Sequence, residues 1–224
     1  MRMRKKKHLD ERLEACAPVC LGWIPDGVHT ERNFAGTLNA SEVFGNDNPL
    51  HLEIGCGKGK FANTIAKREP DINFIAVEQT ANVVVSAMEQ TLAGELPNLR
   101  YLCGKAEYLP KVVPPGSVER IYLNFSCPFP KAKYAKHRLT HKRFLDIYKE
   151  LLTDGGVIVL KTDNAAFYEF SLNSLADNGF RLCNMTLDLH NSAVTGNIIT
   201  EYESRFLAQG LPIYYLNAVY KKYC

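Results

Sequence analysis

From Pro49 onward, apolar and polar residues fall into short buried runs that alternate with amphipathic stretches. The run LHLEIG ends at Gly55, and Phe61 and Ile65 then sit four apart, as on one helix face. INFIAVE (Ile72 to Glu78) predicts a second buried strand. Val84, Ala87, Met88, Thr91 and Leu92 follow with the i, i+3, i+4, i+7, i+8 spacing of a helix. NLRYLC, RIYLNF and GVIVLKT predict three more strands. One helix is expected over Arg138 to Leu152, before the Asp154-Gly155-Gly156 turn, and another over Ala165 to Ala176. FRLCNMTLDL and PIYYLNAVY are late strands, separated by the short helix-forming piece TEYESRFLAQG.

Strands alternating with helices predict a parallel sheet with right-handed crossovers, and two late strands with little between them predict an antiparallel addition at its edge. The expectation is one α/β domain over residues 46–224. It has a Rossmann-like, seven-stranded, mostly parallel sheet with an antiparallel edge strand and helices on both faces. Residues 1–45 show no sustained period and contain Gly22, Pro25, Gly27, Gly36 and Gly45, which predicts a basic, irregular N-terminal arm.

A chain of 224 residues, 46% hydrophobic, can bury a sizeable core. It has no window of the ~18 apolar residues that a membrane span needs. The start is basic but lacks the apolar run of a signal peptide, so a cytoplasmic location is expected. Seven scattered cysteines fit reduced thiols better than a disulfide framework. Cys16 and Cys20 lack a second ligand pair at zinc spacing, so no metal site is expected.

Charge changes the picture through its distribution. Arg2 to Lys7 carries five basic residues and Lys131 to Arg143 carries six, with no acid in either segment. The remainder holds 16 Lys and Arg against 24 Asp and Glu, so a mildly acidic body bears two basic patches. That arrangement suggests one face for a polyanion.

Candidate chemistry begins at LEIGCGKG, where Gly55, Gly57 and Gly59 mark the turn from the first strand into the first helix. In an open α/β sheet the ligand crevice lies at the carboxyl ends of the strands. Glycines there let a ligand approach the backbone closely. Glu53 lies two residues before the first glycine, and Glu78 closes the second strand. A carboxylate at Glu78 can accept both ribose hydroxyls of a nucleoside, while one at Glu53 suits a cationic ligand and repels a pyrophosphate. The pair points to S-adenosylmethionine rather than a nicotinamide cofactor.

At the end of RIYLNF, Pro128 and Pro130 stiffen the loop Ser126-Cys127-Pro128-Phe129-Pro130. The basic run follows at once, offering Lys131, Lys133, Lys136, Arg138, Lys142 and Arg143 to phosphates, with Tyr134 and His137 among them.

LEIGCGKGKF, INFIAVE, YLNFSCPFPK, KYAKHRLT, LKTDN and GNIITEYESRF together resemble the bacterial tRNA (guanine-N7-)-methyltransferases. The resemblance implies a class I methyltransferase fold and methyl transfer from S-adenosylmethionine to N7 of a variable-loop guanosine in tRNA. It assigns Glu53, Gly55, Gly57, Glu78, Lys105 and Cys127 to the cofactor. Lys131, Asp163, Thr200, Glu201, Tyr202 and Glu203 go to the substrate, and Lys133, Tyr134, Lys136, His137 and Arg138 to RNA. Cys127 and Asp163 stand at the catalytic positions. Three positions depart from the usual pattern: Lys105 replaces an Asp or Asn, Cys127 replaces an Asp, and Phe129 replaces a Trp. The expected assembly is a monomer or homodimer, away from any membrane.

Without an acid at position 127 the chemistry still stands, because guanine N7 has an in-plane lone pair and no proton to remove. Asp163, Glu201 and Glu203 can oppose the positive charge that develops on the guanine. A helix-capping role competes for each of these segments, since Asp163-Asn164 and Thr200-x-x-Glu203 both look like helix starts. Two other functions stay open at this level. One is methylation of a pyrimidine through a covalent Cys127 thiolate, and the other is RNA binding without catalysis.

Overall fold

The computed structural model describes residues 6–26 and 32–222. Most of the first basic run, Arg2, Arg4 and Lys5, lies outside the described residues. The chain divides at Pro114 into two compact units, each a continuous stretch of sequence.

The first unit holds four parallel strands in the order β1-β4-β3-β2: β1 (Cys20–Trp23), β2 (Leu50–Ile54), β3 (Asn73–Glu78) and β4 (Leu99–Cys103). Helix α3 (Lys60–Arg68) joins β2 to β3, and α4 (Ala81–Ala93) joins β3 to β4. Every residue of β2 is buried, which is why its sequence shows a continuous apolar run broken only by His51 and Glu53. A polar network runs through the core. Tyr101 is fully buried, and its hydroxyl meets Asn63 Nδ2 at 3.1 Å and Thr91 Oγ1 at 2.9 Å. Burial pushes that phenol well above its ordinary range, so it stays protonated and available to donate.

The N-terminal stretch differs from the irregular arm expected of it. Helix α1 (Leu9–Ala15) buries Leu9 and Leu13, and its Arg12 forks onto Glu89 of α4 with two hydrogen bonds of 2.7 Å. Lys6 extends this contact, donating from its backbone to Asn82 at 2.9 Å and from Nζ to Ser86 at 2.6 Å. Strand β1 adds an eighth strand to the expected seven. At four residues, one of them Gly22, it is too short to show a period. Helix α2 (Ala40–Phe44) follows, capped by Asn39.

The second unit holds β5 (Val118–Asn124), β6 (Leu152–Thr162), β7 (Phe180–Thr186) and β8 (Tyr214–Tyr220) in the order β5-β6-β8-β7. The β5 and β6 strands run parallel, and β8 lies antiparallel between β6 and β7, as the late strands predicted. Pairing jumps from Val118↔Leu152 to Arg120↔Val157, so the Asp154-Gly155-Gly156 turn becomes a bulge inside β6. Helices α5 (Lys142–Leu151), α6 (Ala165–Asp177) and α7 (Glu201–Leu207) complete the unit.

The helix expected from Arg138 starts four residues later. Ala132–His137 form a 3-10 turn, and Arg138 leaves it with extended backbone at φ −65° and ψ 133°. Thr140 is fully buried, its hydroxyl 2.8 Å from Ser171 and its carbonyl accepting from Ser174 at 2.6 Å. These bonds commit the segment to tertiary partners before α5 begins, overriding its helical period.

Candidate active site

In the first unit, the residues assigned to the cofactor gather at the carboxyl ends of β2, β3 and β4. Glu78, the last residue of β3, accepts from Gly57 N–H at 3.2 Å and from Thr80 N–H at 2.9 Å, one bond to each oxygen. The glycine turn and the start of α4 are therefore held by one carboxylate, and both oxygens keep lone pairs for further donors. Gly104 N–H reaches Glu78 O at 3.0 Å, bringing the backbone before Lys105 alongside. The Lys105 ammonium itself lies 6.0 Å from the Tyr108 ring. Glu53 is buried in β2. Burial, helped by the charges of Glu53 and Glu78, pushes the Cys56 thiol well above its ordinary range.

The glycines divide by function. Gly55, Gly57 and Gly59 all have positive φ, at 84°, 57° and 80°. A Cβ at Gly59 would stand 2.5 Å from Ala87 Cβ, so that glycine serves the packing of α3 on α4. A Cβ at Gly55 or Gly57 would meet nothing within 4 Å. Open space before these two, with a buried carboxylate at Glu53 and a prealigned one at Glu78, fits a cationic nucleoside such as S-adenosylmethionine.

In the second unit, three segments converge: the loop after β5, the end of β6, and the start of α7. Phe125 N–H donates to Lys161 O at 2.8 Å, tying the first of these to the second. Phe125 takes φ 51°, and its ring stacks near-parallel with those of Tyr202 and Phe206 at 6.3 and 6.0 Å between centroids. That joins the loop to α7. Cys127 is exposed on the loop, and Lys131, Lys133, Tyr134, Lys136 and His137 line the surface just beyond it. Arg138 is half-buried and turned inward, donating from Nε to Pro128 O at 3.0 Å and from Nη2 to Phe129 O at 3.1 Å.

Both competing helix starts are real, with different outcomes. At α6 the cap is Asn164, whose side chain accepts from Phe167 N–H at 2.8 Å, so Asp163 is not spent on capping. At α7 the capping box is complete: Thr200 Oγ1 accepts from Glu203 N–H at 3.0 Å, and Glu203 Oε2 accepts from Thr200 N–H at 3.1 Å. Glu203 does more. It is fully buried and also receives Lys161 Nζ at 2.9 Å, His190 Nε2 at 2.9 Å and the side-chain amide of Asn197. Burial alone would raise its carboxyl, but Lys161 and the other donors more than offset that and hold it below the usual range. Lys161 in turn spends three bonds, on Glu203, on Asn197 Oδ1 at 3.1 Å and on Ile198 O at 2.8 Å. Glu201 and Tyr202 remain on the exposed side of α7.

Sequence reasoning misses Lys161, His190 and Asn197, although a lysine inside the apolar run GVIVLK is a usable signal: a buried ammonium needs a carboxylate. Nothing local marks His190 as the companion of a residue thirteen positions away.

The family model described as "Putative methyltransferase" matches residues 47–216. Over 214 residues, 96% of this chain, a tRNA (guanine-N(7)-)-methyltransferase of Geobacillus sp. (strain WCH70) is 49% identical, with 93% of that protein covered. The tRNA (guanine-N(7)-)-methyltransferase of Bacillus subtilis (strain 168) is 44% identical over the same length, with 96% of each chain covered. Among solved structures, the 16S rRNA methyltransferase KamB superposes with a TM-score of 0.64 at 15% identity, covering 89% of this chain and 99% of that one. The antibiotic-resistance methyltransferase Kmr gives 0.59 at 18% identity, covering 84% and 95%. At such low identity these structures show the fold alone, that of the class I methyltransferases. Matched almost end to end by its sequence relatives, the chain belongs to the family of tRNA (guanine-N(7)-)-methyltransferases.

Proposed function

We propose that the chain transfers the methyl group of S-adenosylmethionine to N7 of a variable-loop guanosine in tRNA. Its near-complete likeness to tRNA (guanine-N(7)-)-methyltransferases carries this reading. The donor supplies an electrophilic methyl on a sulfonium. Glu78 accepts the ribose hydroxyls, with its oxygens already aimed by Gly57 and Thr80. Glu53 offers its charge to the amino-acid end of the donor, and the main chain at Lys105 borders the base.

No residue has to remove a proton from N7, so the work of the second unit is orientation and charge. Asp163 and Glu201 accept from the guanine Watson–Crick edge and oppose the charge it gains. Thr200 and Tyr202 border the base, and Glu203 acts through the turn that it holds. Cys127 takes the family's position 127 as a small side chain with no proton to remove, and Lys131 serves the substrate. Lys133, Tyr134, Lys136 and His137 form the face for the tRNA backbone.

No helix among the described residues is long and apolar enough to cross a membrane, and all six cysteines among them are free. We place the enzyme in the cytoplasm, working as a monomer or homodimer. The test is incubation with tRNA and labelled S-adenosylmethionine, followed by nucleoside analysis. Labelled 7-methylguanosine is expected; a labelled pyrimidine, or no transfer, overturns the reading.

A further inference from the structure

Arg138 belongs by sequence to the basic run, yet its geometry is unlike that of its neighbours. Lys131, Lys133, Lys136 and His137 face outward, whereas the Arg138 guanidinium is committed on three sides. Two of its nitrogens donate to consecutive carbonyls, Pro128 O at 3.0 Å and Phe129 O at 3.1 Å. Its guanidinium lies over the Phe170 ring of α6, with Cζ 4.4 Å from the centroid. A planar fork that spans two acceptors while stacking on an aromatic face is a task for Arg that a lysine cannot perform.

The loop needs such a brace. Pro128 and Pro130 have no N–H, so neither can contribute a donor to a hydrogen-bonded turn. Phe129 sits at φ 41°, a conformation that persists only where its surroundings fix it. At the other end, Phe125 N–H is held by Lys161 O at 2.8 Å. Cys127 lies between these two anchors.

We propose that Arg138 is a positioning residue for methyl transfer: it fixes the path of the 125–131 loop, which carries Cys127, and makes no phosphate contact. This rests on the reading that the loop lines the methyl-transfer site. A phosphate ligand and a loop brace respond differently to substitution. The phosphate role depends on charge, so Lys largely restores it and Ala lowers the salt dependence of RNA binding. The brace depends on the fork, so Lys fails and the salt dependence stays.

The experiment compares Arg138→Ala, Arg138→Lys and the double variant Lys133→Ala/Lys136→Ala with the wild type. Three quantities are read: salt-dependent tRNA binding, kcat and KM for tRNA methylation, and peptide-resolved hydrogen exchange over residues 125–131. Both Arg138 variants are expected to lose about tenfold or more in kcat, since small misplacements at a reacting centre are costly. Their KM for tRNA and log–log salt slope should stay near wild type, and their 125–131 peptide should exchange faster. The lysine double variant should show the reverse: a slope lower by roughly 0.7–0.9 for each phosphate left unneutralised, with exchange over 125–131 unchanged. A lower slope in Arg138→Ala that Arg138→Lys restores, with no change in loop exchange, overturns the proposal. Should Arg138→Ala fail to fold, Arg138→Lys decides alone, because wild-type kcat and exchange in it would overturn the brace. Loop exchange does not depend on methyl transfer, so a wild type that makes no 7-methylguanosine sinks the underlying reading without mimicking either result.

Discussion

Cys127 is a single atom type away from two different chemistries, and its setting argues for the simpler one. It stands exposed on a loop anchored through Phe125 and Arg138, and methyl transfer to N7 leaves no proton for a thiolate to take. Cys127→Ser preserves the side chain's size and should keep substantial activity, within about tenfold of the wild-type kcat. Loss of turnover in a folded variant that still binds donor and tRNA, measured by calorimetry and filter binding, would count against this. At this scale the sequence is informative about identity and poor about commitment. Glu53 and Glu78 are visible as candidates from their positions beside the glycines and at a strand end, and Asp163 and Thr200 to Glu203 through the family resemblance. What cannot be read is which of them are already engaged. Asp163 escapes its cap because Asn164 takes it, while Glu203 is saturated by Lys161, His190, Asn197 and Thr200. Those partners come from three separate stretches of chain, and no local pattern encodes such a meeting.

Among the elements, the glycine turn between β2 and α3 makes a prediction that separates binding from stability. Gly57→Ala places its Cβ in the open cradle at φ 57°, so it should lose about 1–2 kcal/mol of stability from strain and clearly weaken S-adenosylmethionine binding. Gly59→Ala drives its Cβ to 2.5 Å from Ala87, so it should cost more stability than Gly57→Ala, and its effect on donor affinity should follow from that loss. Denaturant midpoints and calorimetric titration of both variants check the contrast; equal effects of the two on donor affinity would remove the distinction. The turn itself is legible, since three glycines between a buried strand and a helical period give the backbone the freedom to reverse and little else. The basic segment after β5 carries a helical period from Arg138, but α5 honours it only from Lys142. Buried Thr140 and the inward Arg138 set that boundary through side-chain bonds, which spacing alone does not convey.

In the whole molecule, acid should find one weak point at the Lys161–Glu203 pair. The folded Glu203 carboxyl lies below its ordinary value of 4.5, so its contribution to stability is fully present above that value. It is lost as pH falls below 4.5 through the lower folded value. Glu203→Gln strands the buried Lys161 charge and should cost about 3–5 kcal/mol near neutrality. The gap to wild type should close as the pH falls through that window. Thermal melts across pH test this, and a gap that stays constant would mean the pair is not the acid-sensitive element. The architecture itself is readable at this scale, because alternation of buried strands and helical periods survives any detail of packing. The eighth strand is not, since CLGW gains its place from tertiary pairing, above all with β4. The proline loop has a consequence of another kind, for divergence. Its path is set through main-chain groups at Phe125, Pro128 and Phe129, which most side-chain replacements leave in place. Drift can therefore exchange an acid for a thiol at 127, or one aromatic for another at 129, without redrawing the loop. Tolerance should end abruptly at Arg138 and Lys161, where one side chain serves several partners and no single neighbouring change can replace it.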